Sequence, residues 1–194
     1  MNPVKLDCAL VVVDVQYDFM PGGSLAVPQG DKVVDVIKSI RDAFRVVVFT
    51  QDWHPKDHSS FKKNGGIWPT HCVQNTSGAE IDRALLRKGD TVVKKGQDPA
   101  VDSYSGFWDN EHRYKTELDD FLKSKKILTI YLAGLATDYC VKFTALDAVD
   151  GGYSVFLVAD ACQGVEVQRG DIARALEEMK QKGVEKTNSA DCLK

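Results

Sequence analysis

Short runs of β-branched and aliphatic residues alternate along this chain with stretches whose apolar positions recur every three or four residues. Residues 8–15 (CALVVVDV) stay apolar up to Asp14, the pattern of a strand buried on both faces. Residues 45–50 (RVVVFT), 91–94 (TVVK), 127–133 (ILTIYLA) and 153–159 (YSVFLVA) repeat that character, and 184–187 form a weaker candidate. Between the first two runs, Val33, Val34, Ile37, Ile40 and the Ala43/Phe44 pair fall at helical spacing. Residues 111–125, 138–149 and 170–181 behave similarly, the last with a stripe of Ile172, Ala175, Leu176 and Met179. Strand and helix in alternation predict right-handed βαβ units. The expected fold is therefore an open parallel β-sheet with helices on both faces, a three-layer α/β/α domain spanning residues 1–194. No repeat or low-complexity segment interrupts it. Residues 51–76 read as one irregular connection, and that length inside a compact domain points to function.

Composition narrows the classes. The formal charge is -3 over 194 residues and the pI about 5.8, with lysine and arginine scattered. That argues against nucleic acid or an acidic membrane surface as the main partner. No run approaches the roughly 18 apolar residues of a membrane span. Asp7 and Asp14 interrupt the first apolar stretch, so no signal peptide is expected, and Cys192, third from the end, makes no prenylation box. Five cysteines without a CxxC pair suit a reduced, cytoplasmic protein better than a disulfide scaffold. The sequence leaves open whether the chain forms a homo-oligomer.

The chemistry gathers where strands end. Three of the four histidines, His54, His58 and His71, lie in the irregular segment beside Asp52. Imidazole with carboxylate suits one divalent metal ion such as zinc, iron or manganese, and the spacing is neither a zinc-finger nor a helical HExxH pattern. The ordinary alternative is a turn-rich surface loop in which the histidines are incidental. In an open α/β sheet, ligands bind at the carboxyl ends of the strands. The first strand ends on Asp14, the second on Asp52 and the third on Lys94-Lys95; the fourth runs through Gly134-Leu135-Ala136-Thr137-Asp138 into Cys140. Cys140 in the first turn of a helix is a candidate nucleophile, because that position favours thiolate and its N–H groups can hold an oxyanion; packing between helix and sheet is the other use of such a thiol. Asp14, emerging from a core strand, is a candidate general base or a structural hydrogen-bonding acid. One of the two adjacent lysines should point outward, and taken singly either reads as solvated. His112 reads as a surface residue, Cys72 as a packed thiol, and Asp18, Asp98 and Asp102 as turn acids, with Asp98 near enough to Lys95 to meet a substrate.

Taken together and in order, these segments resemble the nicotinamidase branch of the isochorismatase-like cysteine hydrolases. The resemblance rests on Val13-Asp14-Val15-Gln16-Tyr17-Asp18-Phe19 with Gly22-Gly23-Ser24-Leu25, on Asp52-Trp53-His54-Pro55 with His58, and on Trp68-Pro69-Thr70-His71-Cys72-Val73. It continues through Lys95-Gly96, Tyr104-Ser105-Gly106-Phe107, Gly134-Leu135-Ala136-Thr137-Asp138-Tyr139-Cys140-Val141 and Asp160-Ala161-Cys162. The departures are small: Tyr17 stands where asparagine is common and Leu135 where isoleucine or valine is common. The resemblance implies a catalytic triad of Asp14, Lys95 and Cys140, which chooses Lys95 over Lys94. It implies a metal held by Asp52, His54 and His71, with His58 in or near the sphere and zinc the first expectation. It also implies a cis peptide between Leu135 and Ala136, an oxyanion held by the N–H groups of Ala136 and Cys140, and Phe19, Trp68 and Tyr104 around a pyridine ring. The implied reaction is hydrolysis of nicotinamide to nicotinate and ammonia through a Cys140 thioester, serving NAD salvage. Two alternatives stay open. One is another hydrolase on this scaffold, acting on isochorismate, an N-carbamoyl compound or a ureido-acid, branches that generally lack the Asp/His cluster. The other is a non-catalytic α/β protein that binds a metal or a partner.

Overall fold

The computed structural model describes residues 5–194. Six strands form one parallel sheet in the order β3-β2-β1-β4-β5-β6: β1 (Lys5–Val13), β2 (Phe44–Asp52), β3 (Thr91–Lys95), β4 (Thr129–Leu135), β5 (Ser154–Gln163) and β6 (Glu185–Thr187). β1 is central. Because successive side chains point to opposite faces of a strand, its apolar run feeds two cores at once. Ala9, Val11 and Val13 join the core under α2 (Leu118–Ser124), α3 (Lys142–Asp150) and α4 (Asp171–Lys182). Leu10, Val12 and the following Val15 join the core under α1 (Lys32–Ile40) and the short α5 (Ser189–Cys192). The expected three-layer α/β/α architecture is the observed one. No helix among the described residues is long and apolar enough to cross a membrane.

The chain leaves the middle of the sheet first toward β2 and β3, then returns to β4, β5 and β6 on the other side. The order reverses between β1 and β4, which opens a crevice at their carboxyl ends. Two local features shape that crevice. β1 stops one residue before Asp14, whose φ of 47° turns the chain out of the strand. Opposite it, Gly134 pairs with Val13, and a Cβ there would stand 2.1 Å from the Val13 carbonyl oxygen, so only glycine lets the strands close at this point.

Some boundaries differ from the expected ones. The helix expected over 111–125 forms only as α2, because the Asp109 carboxylate accepts the N–H groups of Glu111, Arg113 and Tyr114 and holds that stretch in a loop. The helix expected over 138–149 is split into a wide, π-type turn, Thr137–Val141, and α3. β5 continues past residue 159 to Gln163 through a register shift against β4. The irregular connection is longer than expected, running from Trp53 to β3 with only single turns of 3₁₀ helix.

Candidate active site

The ends of β1, β2, β3 and the turn after β4 bring four ionisable groups together. Asp52 and Lys95 are register partners at the ends of β2 and β3. The alternation of β3 sends Lys95 inward, 2% exposed, while Lys94 lies outside with its ammonium 3.7 Å from the centre of the Trp53 ring. Inside, the Lys95 Nζ lies 2.9 Å from Asp14 Oδ2, donates to Asp52 Oδ1 at 2.5 Å and to the Ser103 carbonyl at 2.8 Å, and stands 3.5 Å from Cys140 Sγ. Burial disfavours the ammonium, but the two carboxylates outweigh it and hold Lys95 charged, its pKa well above the usual value. Burial also pushes the Asp14 carboxyl up, with Asp52 adding to the effect and Lys95 opposing it.

Cys140 sits on the π-type turn, buried. The expectation that its helix-entry position would favour thiolate is corrected by the structure. Burial pushes its thiol well above the ordinary range, and the nearby Lys95 offsets this only in part. A buried thiol pushed in that direction needs a base beside it to attack. An Asp14 carboxylate oxygen and Cys140 Sγ lie within 4.8 Å of one another. The Leu135–Ala136 peptide leading into the turn is cis.

Beside this group lie the three loop histidines, all buried. Each spends one ring nitrogen on the protein: Nδ1 of His54 faces the Gly96 carbonyl at 2.9 Å, Nδ1 of His71 the Pro69 carbonyl at 2.8 Å, and Nδ1 of His58 the Ser60 hydroxyl at 2.7 Å. A carbonyl accepts, so Nδ1 of His54 and His71 donates and Nε2 is the atom left to face a metal, the arrangement that orients a metal-ligating imidazole. Gly96 is needed here, since a Cβ on it would stand 2.4 Å from the His54 ring. Ligand atoms of Asp52, His54 and His71 lie within 4.8 Å of one another, as do those of His54, His58 and Asp102. His58 Nε2 is buried with no hydrogen-bond partner, an orphan atom that a cation would satisfy. Burial and the neighbouring His54 hold His58 and His71 toward the neutral form, the form that ligates. The donor set fits a divalent ion such as zinc.

A cavity holding about 430 Å³ of atom-free space, its mouth included, opens between the sulfur and this cluster. Phe19, Trp68, Tyr104 and Tyr139 give it aromatic walls, and Asp52, His71 and Cys140 reach it from the polar side. The Trp68 indole N–H donates to the Tyr104 hydroxyl at 2.9 Å, and the Trp68 and Tyr139 rings meet edge-on, 5.0 Å between centroids. Asp14, Lys95, Cys140, Asp52, the three loop histidines, Ala136, Phe19, Trp68 and Tyr104 thus gather at this one crevice, while the Leu135 side chain is buried in the core. Several lining residues were not foreseen. Tyr139 was readable in principle as the neighbour of Cys140, whereas Leu25, Val27 and Val165 carry no chemical signal in the sequence. The loop acid at the cavity is Asp102 rather than Asp98, whose carboxylate instead accepts the Ala100 N–H. Gln16 and Asp18 hold the frame. The Gln16 amide donates to the carbonyls of Asp52 and Ala79 and accepts the Asp52 N–H, and Asp18 accepts the Cys72 N–H beside His71. Cys72 is fully buried and its thiol is pushed well up, as expected of a packed residue. His112 is exposed and stacks on Trp108.

Comparison with known proteins places this geometry. Residues 8–191 match the model of the isochorismatase domain. The nicotinamidase of Escherichia coli (strain K12) is 44% identical over 203 residues, covering 94% of this chain and 95% of that protein. Among solved structures, a nicotinamidase/pyrazinamidase of Acinetobacter baumanii superposes with a TM-score of 0.93 at 39% identity, covering 97% of this chain and 99% of the other. The pyrazinamidase of Pyrococcus horikoshii, solved in complex with zinc, superposes with a TM-score of 0.84 at 43% identity, covering 94% and 99%.

Proposed function

The chain belongs to the isochorismatase family, in its nicotinamidase branch, and from that membership we propose that it hydrolyses the carboxamide of nicotinamide to nicotinate and ammonia. The observation that carries the reading is a buried Lys95 ammonium 2.9 Å from Asp14 and 3.5 Å from the Cys140 sulfur, at an aromatic cavity flanked by histidines. Asp14, Lys95 and Cys140 form the triad. Asp14 takes the thiol proton as the sulfur bonds to the carboxamide carbon, and Lys95, already charged, offsets the negative charge of the pair. The N–H groups of Ala136 and Cys140 hold the oxyanion; one such donor is typically worth about 3–4 kcal/mol of transition-state stabilisation. As the C–N bond breaks, Asp14 returns its proton to the departing ammonia and leaves a Cys140 thioester. Asp14 then draws a proton from water, the hydroxide attacks the thioester carbon, and nicotinate leaves as the thiol is re-formed.

Phe19, Trp68 and Tyr104 sandwich the pyridine ring and exclude bulk water. Asp52, His54 and His71 would hold one divalent ion, zinc by the chemistry of the donors, with His58 at its edge. When bound, that ion supplies a Lewis-acid anchor for the pyridine nitrogen. The product nicotinate would enter pyridine nucleotide salvage in the cytoplasm. The test is direct: purified protein incubated with nicotinamide should release nicotinate and ammonia in equal amounts, with benzamide, which lacks the ring nitrogen, turned over poorly. Absence of nicotinate, or faster hydrolysis of an N-carbamoyl compound, would overturn the assignment.

A further inference from the structure

Thr50 lies on β2, fully buried, opposite the point where Asp14 leaves β1. Its hydroxyl makes two bonds to the same residue: it accepts the Asp14 backbone N–H at 3.3 Å and donates to Asp14 Oδ1 at 2.6 Å. A hydroxyl has one proton, so this pair of bonds fixes its direction, and the proton is committed to Oδ1. Asp14 Oδ2 is in a different position. It is buried, has no aligned hydrogen-bond donor, and lies 2.9 Å from the Lys95 ammonium as an ion pair. The groups facing the carboxyl are Lys95, 2.9 Å from Oδ2, and Asp52 and the Cys140 sulfur, each with an atom within 4.8 Å of an Asp14 oxygen; in the triad reading the thiol is the one that gives up its proton.

We infer that Thr50 is a positioning residue that occupies Oδ1 of Asp14 and so reserves Oδ2 as the atom that carries the proton. The inference rests on the triad reading above. The proton passes from Cys140 Sγ to Oδ2 as the sulfur–carbon bond forms. It passes from Oδ2 to the amine nitrogen as the carbon–nitrogen bond breaks, while the Thr50 hydrogen bond to Oδ1 stays in place throughout. Asp14 holds a positive φ of 47°, a conformation that a non-glycine residue adopts at a cost, and the bond from its own N–H to Thr50 helps hold it there. The methyl group also has a task. It faces Gly106, where a Cβ would stand 2.9 Å from Thr50 Cγ2, and the Gly106 N–H is tied to the Thr144 hydroxyl at 2.9 Å. Wedged there, the threonine cannot rotate its hydroxyl away from Asp14.

The test is the series Thr50→Val, Thr50→Ser and Thr50→Ala in the full-length, metal-loaded protein. Valine keeps the shape and removes both bonds to Asp14; because hydrogen bonds to charged groups are among the stronger ones, kcat should fall roughly 10- to 100-fold while KM stays within about threefold. Serine keeps the hydroxyl and should return kcat to within about fivefold of the parent. Valine as active as the parent would overturn the inference, as would serine no better than valine, or a loss confined to KM. If the valine variant fails to fold, the serine-to-alanine ratio of kcat isolates the hydroxyl, and equal values for those two would overturn it. Asp14→Asn separates this inference from the reading beneath it. An active Asp14→Asn protein refutes the triad itself, whereas an inactive one beside a fully active Thr50→Val protein refutes only the role of Thr50.

Discussion

Lys94 and Lys95 are chemically identical neighbours placed in opposite surroundings, so exchanging each for alanine tests the site without changing the residue type. Lys95→Ala deletes a fully buried cation that neutralises Asp14 at 2.9 Å and Asp52 at 2.5 Å. Removing one partner of a buried ion pair typically costs about 3–5 kcal/mol, because it leaves uncompensated buried charge. In a chain of this size each kcal/mol is worth about 2–4 °C, so the melting temperature should drop by roughly 6–20 °C. Bound metal would blunt the drop by sharing the Asp52 charge. Turnover should fall further than stability. Losing a fixed charge at the reacting centre commonly costs about 10²–10³ in kcat, and here the Asp14–Cys140 pair would form its charge without a counterion. Lys94→Ala loses a cation–π contact with Trp53 at the surface, worth about 0.5–1 kcal/mol, and should leave kcat within about twofold. Ammonia release from nicotinamide at a temperature where circular dichroism shows both variants folded is the assay. Equal losses at the two lysines, or a folded Lys95→Ala protein keeping more than about a tenth of the activity, would refute the assignment of Lys95 and the charge argument with it.

Other outcomes follow from the same geometry. Cys140→Ala should abolish turnover with metal content unchanged, whereas Cys162→Ala should be tolerated, since that buried thiol, its pKa pushed up to about 12, faces the Leu132 carbonyl away from the cavity; activity and elemental analysis of the two variants decide. Chelation should weaken nicotinamide binding, and His54→Ala and His71→Ala should lower the metal content from about one per chain, measured by mass spectrometry of the eluted metal; undiminished hydrolysis by metal-free protein would show the ion to be dispensable. Asp119 gives a pH test away from the cavity. Burial favours its neutral form, but hydrogen bonds from Lys115, Lys123 and Tyr153 outweigh this and bring its pKa down to about 2 from the usual 3.8. A depressed carboxyl contributes stability that is complete above its unfolded value and is lost as pH falls through the folded one. Thermal melts should therefore show a shallower loss between pH 3.8 and about 2 in Asp119→Asn than in the parent, and parallel curves would remove Asp119 from the account.

The sheet was legible because its signal is local. Nine-residue β1 must be apolar on both faces when helices cover both, so Ala9 to Val13 reads as a buried strand without any knowledge of its neighbours. Asp14 and Asp52 were legible for a related reason, since a charged residue that ends such a run is carried to the crevice by the strand itself, whereas only the family resemblance separated Lys95 from Lys94. The pattern misleads where a distant side chain decides the local structure. Residues 111–117 have helix-compatible composition, yet the Asp109 carboxylate gathers the N–H groups of Glu111, Arg113 and Tyr114 into a loop in which His112 takes a positive φ of 54°, which no right-handed helix contains. The cavity walls failed for another reason. Leu25 and Val27 come from one segment and Val165 from a distant one, and all are ordinary apolar residues, so nothing in their types marks them until the fold brings them together.

The folded arrangement also shows how the proposed metal ligands and the proposed triad would share one site. Asp52 divides its carboxylate between them: Oδ1 accepts from Lys95 at 2.5 Å, and Oδ2 stands 3.6 Å from His54 Nε2. Lys95 in turn reaches Asp14 and Cys140. On the proposed reading, a change of charge at His54 would be felt at Cys140 through two side chains, Asp52 and Lys95. Double-variant cycles make this measurable, because residues in one hydrogen-bonded network should depart from additivity while distant pairs should not. His54→Ala combined with Lys95→Ala should cost clearly less in kcat than the two single losses multiplied, since each already disables the Asp52 bridge. His54→Ala combined with Lys94→Ala should be multiplicative. Independent effects in the first pair would mean that Asp52 serves the two halves separately and that the shared carboxylate is only an economy of space.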